Sequence, residues 1–327
     1  MEKNEPLISV VIPVYNGALY LDKTFKSLMD QTYKNFEVIF VNDSSTDNSL
    51  SLLEKYSQFS KKIKVFTKQN GGFASKAVNY GLKYASGKYF MYSSQDDLFS
   101  PNLLEKNIQR ALETDADSIV PYMRYYHDET NNQHGISGIN GDINREINGR
   151  EAFTLSLDWT IHGFALWSME LVRKVGIAET GLNSDEYSTR MLFFFIKKVV
   201  FSDGVFYYRQ QPNAITRKWK LAQLDYVTTC NQLEMFLVEN NFGEKEIQKN
   251  RKCLSGELIR IIRLYKSASA TMSIQQRIDA LQTIKEAYEG NKAKIRKAKS
   301  LRIRINLSIW TMLNALNNLL TIIQGRK

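Results

Sequence analysis

The stretch ISVVIPVYNG at residues 8–17 decides the fold of this 327-residue chain. Its apolar, β-branched residues predict a buried strand, and the Asn16-Gly17 pair predicts the turn that ends it. Three further apolar runs have the same character, because each is short and each ends in polar residues. They are FEVIFVND at 36–43, IKVFTKQNGG at 63–72 and KYFMYSSQDD at 88–97.

The segments between these runs have the spacing of amphipathic helices, as at 20–30 and 73–84. Strand and helix alternate through the first third of the chain, up to a helix that Pro101 and Asn102 open. This order predicts right-handed βαβ units and an α/β fold, with a mostly parallel sheet flanked by helices. Because ligands bind at the carboxyl ends of strands in such sheets, the polar residues after the strands are the site candidates.

The composition excludes several classes of protein. Hydrophobic residues make up 43% and charged residues 24% of the chain, which is typical of a globular protein and not of a disordered one. The chain has two cysteines and three histidines, without CxxC or HExxH spacing, so neither a disulfide framework nor a zinc centre is expected. The sequence predicts neither a signal peptide nor a membrane-spanning run of about 18 apolar residues.

The net charge of +10 is concentrated in the C-terminal tail. No acidic residue follows Glu289, and nine lysines and arginines beyond it leave residues 1–289 with a net charge of +1. Within 301–323 the apolar residues share one helical face, opposite Asn and Thr residues. This pattern predicts that residues 292–323 attach a cytoplasmic, peripheral protein to the anionic inner face of the plasma membrane. The alternative is a helix that packs on its own domain or on a second subunit.

The rest of the chain is less regular. Residues 117–122 predict a strand, residues 130–149 a mobile surface loop, and residues 199–208 a hairpin around Asp203-Gly204. From about residue 216 the pattern is helical with few turn signals. Three parts are therefore expected, namely an α/β domain at 1–215, a helical extension at 216–290 and a basic amphipathic tail at 291–327.

Asp96 and Asp97 are the clearest candidates for chemistry at the strand ends. Adjacent carboxylates repel each other unless positive charge lies beside them, and a hard cation such as Mg2+ or Mn2+ with a substrate diphosphate meets this need. A turn before the next helix is the alternative interpretation. Neither GxxxxGK[ST] nor GxGxxG occurs, so P-loop and dinucleotide-binding sites are not expected.

Four motifs resemble, in order and spacing, the N-terminal half of the family-2 glycosyltransferases. They are ISVVIPVYNG, FEVIFVNDSSTDNS, QNGGFASKAVNYGLKYASGKY and MYSSQDDLFSPNLL. The resemblance implies the GT-A fold, here with a C-terminal helical extension, and an inverting transfer from a nucleotide-diphosphate sugar, with a UDP-sugar as the default donor. It also implies a Mn2+ or Mg2+ cofactor and a saccharide acceptor, lipid-linked in many relatives that build capsular or cell-wall polysaccharides.

The resemblance also assigns residues to the donor site. Asp43 is placed against the nucleobase, with an Asx-turn as its alternative role. Ser94 stands where the family's D-x-D-D signature has its first aspartate, and Lys76 is a candidate for positive charge near the diphosphate, or else an exposed helix lysine. The expected donor-binding residues are Pro13, Tyr15, Asn16, Asp43, Ser45, Lys76, Asn79, Ser94, Gln95 and Asp96, and the expected metal ligands are Asp96 and Asp97.

An inverting transfer requires one general base, which removes the proton of the acceptor hydroxyl. In the resembled family this base lies in a Glu-Asp motif at the start of a helix that has an arginine downstream. Residues 183–190, NSDEYSTR, match with the order reversed, so Asp185 is the expected base and Glu186 the alternative. Both carboxylates could instead stabilise the N-terminus of the helix through its dipole.

The acceptor region of the family corresponds to residues 158–177, DWTIHGFALWSMELVRKVGI. Aromatic faces stack on sugar rings and a histidine can hydrogen-bond a hydroxyl, so Trp159 and His162 are the expected acceptor-binding residues. Ordinary packing is the alternative for both. Trp167 lies four residues before Leu171 and is expected in the core.

Two functions of different class remain open on the sequence. The first is a metal-dependent glycosyltransferase at the inner face of a membrane, which the retained Asp43, Asp96 and Asp185 favour. The second is a non-catalytic nucleotide-sugar or carbohydrate-binding protein on the same scaffold, which Ser94 and the reversed Asp-Glu order favour. A nucleic-acid partner is not expected, because aromatic residues are not interleaved with the basic cluster.

Overall fold

The computed structural model describes residues 5–127, 134–211 and 214–298 of the chain. The chain divides into two compact units. The first consists of Met1–Thr180 and Ser184–Gln211, and the second of Gly181–Asn183 and the residues that follow Gln211. The division lies close to the boundary at residue 215 that the change of pattern predicts.

The first unit alternates strands and helices from its beginning. In chain order its elements are β1 (Ile8–Val14), α1 (Ala18–Met29), β2 (Phe36–Asn42), α2 (Ser49–Phe59), β3 (Ile63–Thr67), α3 (Ala74–Leu82), β4 (Tyr89–Tyr92), β5 (Leu98–Phe99), α4 (Leu103–Thr114), β6 (Ser118–Tyr126), β7 (Gly135–Ile136), α5 (Gly149–Ser156), β8 (Leu166–Ser168), α6 (Met169–Val175), α7 (Ser184–Phe195) and β9 (Val199–Arg209).

These strands form one mixed sheet of nine strands in the order β3-β2-β1-β4-β8-β6-β9-β5, with β7 paired to β6. β1 lies between β2 and β4, and β2 pairs with β3, all in parallel. β8 is antiparallel to both β4 and β6. The predicted α/β fold is confirmed, but the sheet is mixed, since parallel pairing holds among β1 to β4 and antiparallel pairs follow beyond them. The carboxyl ends of β1, β2 and β4 lie at one edge of the sheet.

The sheet buries a core on each of its faces, as the near-continuous apolar strands predict. Along β1, Val10 and Ile12 belong to one core and Val11 to the other, and all three side chains are fully buried. Trp167 is 2% exposed and packs in the second core, which confirms the sequence prediction for this residue.

The predicted hairpin at 199–208 is wrong. β9 is a single strand that runs parallel to β6, and its register shifts between Val120 and Tyr122, where three residues of β9 face one of β6. Asp203 and Gly204 lie in this bulge, so the Asp-Gly pair marks an irregularity within a strand and not a turn. A Cβ on Gly204 would lie 3.1 Å from the Cα of Leu103, so α4 packs closely against the bulge.

The predicted strand at 117–122 is present and extends to Tyr126. The predicted loop at 130–149 lies partly outside the described residues. Its described part forms β7 and two isolated bridges, Ile139 to Asp142 and Ile147 to Val199.

The described residues of the second unit form three long helices, α8 (Asp225–Glu239), α9 (Glu244–Ala268) and α10 (Ile274–Lys297). They share their own apolar core. α10 continues through residue 290, where the sequence predicts the extension to end. Within this unit, two basic residues of the predicted tail make polar contacts. Lys292 lies 3.0 Å from Glu289, and Lys294 donates to Asn231 at 2.6 Å.

The predicted amphipathic helix at 301–323 lies outside the described residues. Within the part of the chain that the structure describes, no helix is both long enough and apolar enough to span a bilayer.

Candidate active site

The turn after β1 is tied to the loops that follow β2 and β4. Asn16 has a positive φ of 51°, which asparagine tolerates well, and its Oδ1 accepts from the Thr46 amide at 2.7 Å. Ser45 Oγ accepts from the Asn16 amide at 3.0 Å. Gln95 accepts from the Tyr15 amide at 2.8 Å and donates to the Tyr15 carbonyl. The predicted donor residues Tyr15, Asn16, Ser45 and Gln95 therefore meet on one surface.

Asp43 is buried at the same edge of the sheet and is paired with a cation. Its Oδ1 lies 2.8 Å from Nζ of Lys68 and accepts from the Gly71 amide at 3.0 Å. The Asx-type bond of this turn is made by the neighbouring Asn42, whose Oδ1 accepts from the Ser45 amide. An ionised carboxylate has about four acceptor sites, so Asp43 retains capacity for one further donor.

The remaining predicted donor residues mainly contact other parts of the protein. Asn79 donates to the carbonyl of Ile177 at 2.8 Å and to Glu179 at 2.7 Å, which ties α3 to the segment before α7. Lys76 is half-buried, and its ammonium lies 5.6 Å from the centre of the Phe73 ring. Pro13 lies within β1 itself, opposite Val41 of β2.

The turn after β4 is held by the end of β9. Asp97 is 1% exposed, its Oδ1 accepts from the Arg209 amide at 3.0 Å, and its Oδ2 has no hydrogen-bond partner among the described residues. Asp96 is half-buried, and its Oδ2 accepts from Nε2 of the Gln211 side chain. Burial raises the pKa of Asp96, and burial together with the charge of Asp96 raises the pKa of Asp97 well above its ordinary value.

The guanidinium of Arg209 is part of this support. Its Nε donates to the carbonyl of Asp96 at 2.8 Å, and its charge lies over the rings of Tyr20 and Tyr126 at 5.3 and 4.8 Å. Such cation–π contacts stabilise a desolvated guanidinium. Arg209 therefore connects the end of β9 to the Asp96-Asp97 turn through its backbone and its side chain.

A second acidic pair, Asp185 and Glu186, lies in the first turn of α7. Nη1 of Arg190 lies 3.3 Å from Oε2 of Glu186 and donates to the Glu186 carbonyl at 2.8 Å. Asp185 reaches solvent through the mouth of a cleft, although protein surrounds it on most sides. This desolvation raises the pKa of Asp185, and hydrogen bonds from the backbone amides of Glu186 and Asp185 together with the charge of Arg190 oppose the shift.

The two acidic pairs face the same tyrosines. Burial is the largest cause of the raised pKa of Tyr92, the charge of Asp185 is the second, and the charge of Asp97 adds to the effect. Burial is also the largest cause of the raised pKa of Tyr208, and the charges of Asp97 and Asp185 are the next largest. The Ser94 side chain hydrogen-bonds the Tyr92 hydroxyl. The turn after β4 and the start of α7 therefore converge, although about ninety residues separate them in the sequence.

The cleft beside Asp185 has an empty volume of about 420 Å3, and Trp159 and His162 line its wall. Trp159 is 38% exposed, and its positive φ of 62° marks a left-handed backbone. His162 is 2% exposed, with Nε2 2.9 Å from the Pro121 carbonyl and Nδ1 accepting from the Phe164 amide. Burial lowers the pKa of His162 to about 4, so the ring is neutral at pH 7 and both its nitrogens serve the cleft wall.

Within the described residues no three acidic, histidine or cysteine side chains converge on a point where they could hold a metal. Asp96 nevertheless provides the hard oxygen that Mg2+ and Mn2+ prefer, whereas Asp97 is buried with one oxygen bonded to the backbone. Mg2+ is often bound by one or two carboxylates together with substrate phosphates. A cation shared between Asp96 and a donor diphosphate therefore fits the residues present.

Sequence reasoning missed four residues that build the site, namely Lys68, Tyr208, Arg209 and Gln211. The signal for Arg209 and Gln211 was present, because the polar run RQQ at 209–211 comes at the end of an apolar strand. The hairpin interpretation concealed it by placing the end of the strand in the middle of β9.

The fold and the acidic strand ends define an α/β protein of the GT-A class. Crystal structures of S. aureus TarS 1–349 with UDP and with UDP-GlcNAc match with TM-scores of 0.63 and 0.62. They are 18% and 19% identical and cover 98% and 95% of this chain, and 92% and 91% of the TarS chain. The mannosyltransferase PcManGT from Pyrobaculum calidifontis, in complex with GDP-Man and Mn2+, has a TM-score of 0.53 at 14% identity, over 97% of this chain and 88% of its own. At these identities the likeness shows the fold alone.

The chain belongs to glycosyl transferase family 2, whose family model matches residues 9–176. An uncharacterized glycosyltransferase of Rickettsia typhi is 34% identical over 224 residues, which are 67% of this chain and 69% of the relative. The protein is therefore a glycosyltransferase, and the resemblance seen in its motifs is confirmed.

Proposed function

We propose that the protein is an inverting transferase that moves a sugar from a nucleoside-diphosphate donor, with a UDP-sugar as default, to a hydroxyl of a saccharide acceptor. The observation that carries the proposal is that the Asp96-Asp97 turn and Asp185 converge on two tyrosines: Asp97 and Asp185 act on Tyr92, which lines the cleft with Asp185, and all three acids act on Tyr208. One carboxylate is suited to a cation on the donor diphosphate and the other to proton removal from the acceptor. The UDP and UDP-GlcNAc complexes of TarS support a uridine donor.

Asp185 is the proposed general base. Its carboxylate takes the proton of the acceptor hydroxyl while the hydroxyl oxygen forms a bond to the anomeric carbon, and the bond to the diphosphate breaks on the opposite face of the sugar. A carboxylate with a raised pKa is a stronger base than an ordinary aspartate, and Asp185 is open to the cleft. Glu186 is less suited to this role, because Arg190 holds its carboxylate and its carbonyl.

The donor is proposed to lie across the carboxyl ends of β1, β2 and β4. Asp43 would accept a hydrogen bond from the imide N–H of a uracil ring, since Lys68 and Gly71 hold its carboxylate in place. Asp96 would hold Mn2+ or Mg2+ together with the diphosphate. When bound, the cation offsets the negative charge of the leaving diphosphate. Lys76 is a further candidate for contact with that group.

The acceptor is proposed to enter the cleft along Trp159, whose exposed ring offers a face on which a sugar can stack. A lipid-linked saccharide in the synthesis of a capsule or cell-wall polysaccharide is the proposed acceptor. Residues 292–323 would then attach the protein to the anionic inner face of the plasma membrane. In the described part of that segment, Lys292 and Lys294 already pair within the helical unit, so we expect the other five basic residues of the segment to contribute more to this attachment.

A donor screen tests the proposal. Uridine, thymidine and guanosine diphosphate sugars are titrated by calorimetry with and without Mn2+, while slow hydrolysis of the donor is followed in parallel. We expect metal-dependent binding of a UDP-sugar together with hydrolysis, and Asp185→Asn should bind the same donor without hydrolysing it. Equal hydrolysis by wild type and Asp185→Asn would contradict the assignment of the base. If no nucleotide sugar binds, the proposed function is wrong.

A further inference from the structure

A second cavity lies beside the cleft that Asp185 lines, within the first unit. Tyr92, Gly163, Asp185 and Thr189 line both spaces. A Cβ on Gly163 would lie 2.3 Å from the side chain of Thr189, so a residue larger than glycine would collide with Thr189 in the wall between the two spaces. A group placed in this cavity would therefore lie next to the proposed general base.

The walls of this cavity are mostly apolar. Val78 and Leu192 are each 2% exposed, and they face it together with Phe90 and Trp167. Such walls disfavour a hydroxyl group, because it would be buried without a hydrogen-bond partner. They favour a methyl group, because burying apolar surface is favourable.

Among the polar groups in the wall, the hydroxyl of Ser75 is buried without a hydrogen-bond partner among the described residues. Ser75 lies in the first turn of α3 and is 4% exposed. The hydroxyl of Ser188, which also lines the cavity, is satisfied, since it donates to the Ser184 carbonyl at 2.6 Å and accepts from the Ala178 amide at 2.8 Å. The Ser75 hydroxyl is thus a buried polar group with which a ligand could form a hydrogen bond.

We propose that this cavity binds the acetamido group of the donor sugar, so that the protein transfers an N-acetylated hexosamine. This inference rests on the proposed function, and it names the class of sugar. The methyl group of an acetamide packs against Val78, Phe90, Trp167 and Leu192, and its carbonyl oxygen accepts from Ser75. A hexose with a hydroxyl in the same place leaves the apolar wall unfilled and brings a polar group against it.

Calorimetric titration of matched donors tests the inference. UDP-GlcNAc, UDP-GalNAc, UDP-glucose, UDP-galactose and UDP are titrated with Mn2+ into wild type, Ser75→Ala and the control Ser51→Ala, which changes an exposed serine on α2. We expect wild type and the control to bind at least one acetamido donor about 10-fold or more tightly than its hydroxyl counterpart. Ser75→Ala should lose about 10-fold of that affinity, with unchanged affinity for UDP and UDP-glucose.

A measurement on the unmodified protein keeps the test independent of any folding defect in the variant. In saturation-transfer NMR with the better acetamido donor, the acetyl methyl protons should receive the strongest saturation of all protons on the sugar. Equal affinity of wild type for acetamido and hydroxyl donors, or an acetyl methyl that receives no more saturation than the ring protons, would overturn the acetamido assignment and leave the transferase proposal intact. Failure of every nucleotide to bind would overturn both.

Discussion

Two pairs of adjacent carboxylates can be compared directly, Asp96-Asp97 after β4 and Asp185-Glu186 at the start of α7. In each pair an arginine restrains one member. The backbone amide of Arg209 donates to Asp97, and the guanidinium of Arg190 faces Glu186. The other member, Asp96 or Asp185, is the more accessible to solvent. Adjacent acids in a sequence therefore need not share a role, because one can hold the turn or helix in place while its neighbour meets the substrate.

The two restrained acids differ in how they are restrained. Asp97 is 1% exposed and accepts from a neutral backbone N–H, and burial together with the charge of Asp96 outweighs the attraction of the Arg209 charge. Glu186 is about one-fifth exposed and faces a guanidinium at 3.3 Å. We therefore expect the ionised form of Glu186 to stabilise the folded state and the ionised form of Asp97 to destabilise it.

Substitution of the open acid of the α7 pair should have the largest effect. Asp185→Asn is expected to lower kcat by about 10^2- to 10^4-fold, the usual contribution of a general base, with donor affinity within about twofold of wild type. Initial-rate kinetics and calorimetric titration of the donor measure the two quantities.

Glu186→Gln is the matched control, and its kcat should stay within about tenfold of wild type. A larger loss of kcat in Glu186→Gln than in Asp185→Asn would reverse the assignment of the base.

Substitution of the open acid of the β4 pair should act on the donor. Asp96→Asn is expected to slow transfer about 100-fold, because it removes a hard oxygen ligand and with it about 3 kcal/mol of charge stabilisation at the diphosphate. The measurement is the dependence of donor affinity on Mn2+, which should weaken greatly. An unchanged Mn2+ dependence would show that Asp96 does not hold the cation.

Substitution of Arg190 should act on stability more than on binding. Arg190→Gln removes the ion pair with Glu186 at a side chain that is only 8% exposed, so the free energy of unfolding should fall by about 2 kcal/mol. Urea denaturation followed by circular dichroism measures this change. Lys26→Gln is the control, because it breaks the exposed pair with Asp30 and should cost less than about 0.5 kcal/mol. Equal losses in the two variants would indicate that the Arg190 pair is no stronger than a surface pair.

Substitution of Asp97 should have a small effect whose sign depends on pH. The pKa of Asp97 is raised in the folded state, so the folded protein binds this proton more tightly than the unfolded chain, in which the carboxyl titrates near 3.8. The contribution of Asp97 to stability is therefore greatest below pH 3.8 and falls as the pH rises towards the folded-state pKa. Asp97→Asn keeps an acceptor for the Arg209 amide without the charge, so it should gain stability relative to wild type as the pH rises.

Urea unfolding of both proteins at pH 4.5 and 7.5, without divalent cations, measures this difference. The free energy of unfolding of Asp97→Asn should exceed that of wild type by more at pH 7.5 than at pH 4.5. The opposite trend would mean that Asp97 is stabilised as an ion, and the distinction between the two restrained acids would be lost.

Much of the first unit could be read from the sequence. The strands at 8–14, 36–42 and 63–67 and the helices between them follow from short apolar runs and turn residues, which are local signals. Asp43, Gln95 and Asp96 could be selected for the same reason, since each lies in the polar segment after a strand, whereas Ser45 was selected through the resemblance to the family. The error at 199–208 arose because an Asp-Gly pair is also a local signal for a turn, and nothing nearby in the sequence shows that β6 runs alongside.

The sequence by itself determined the α/β architecture, the family and the two acidic pairs, because periodicity and motif spacing are properties of neighbouring residues. Only the tertiary structure decided which acid of the β4 pair is restrained, since the Arg209 amide lies 112 residues from Asp97 along the chain. It also decided that the two pairs act on the same two tyrosines, Tyr92 and Tyr208, and that Ser75 faces a largely apolar cavity beside Asp185. Burial and electrostatic fields depend on what surrounds an atom in space, and residues distant in the sequence supply most of those surroundings.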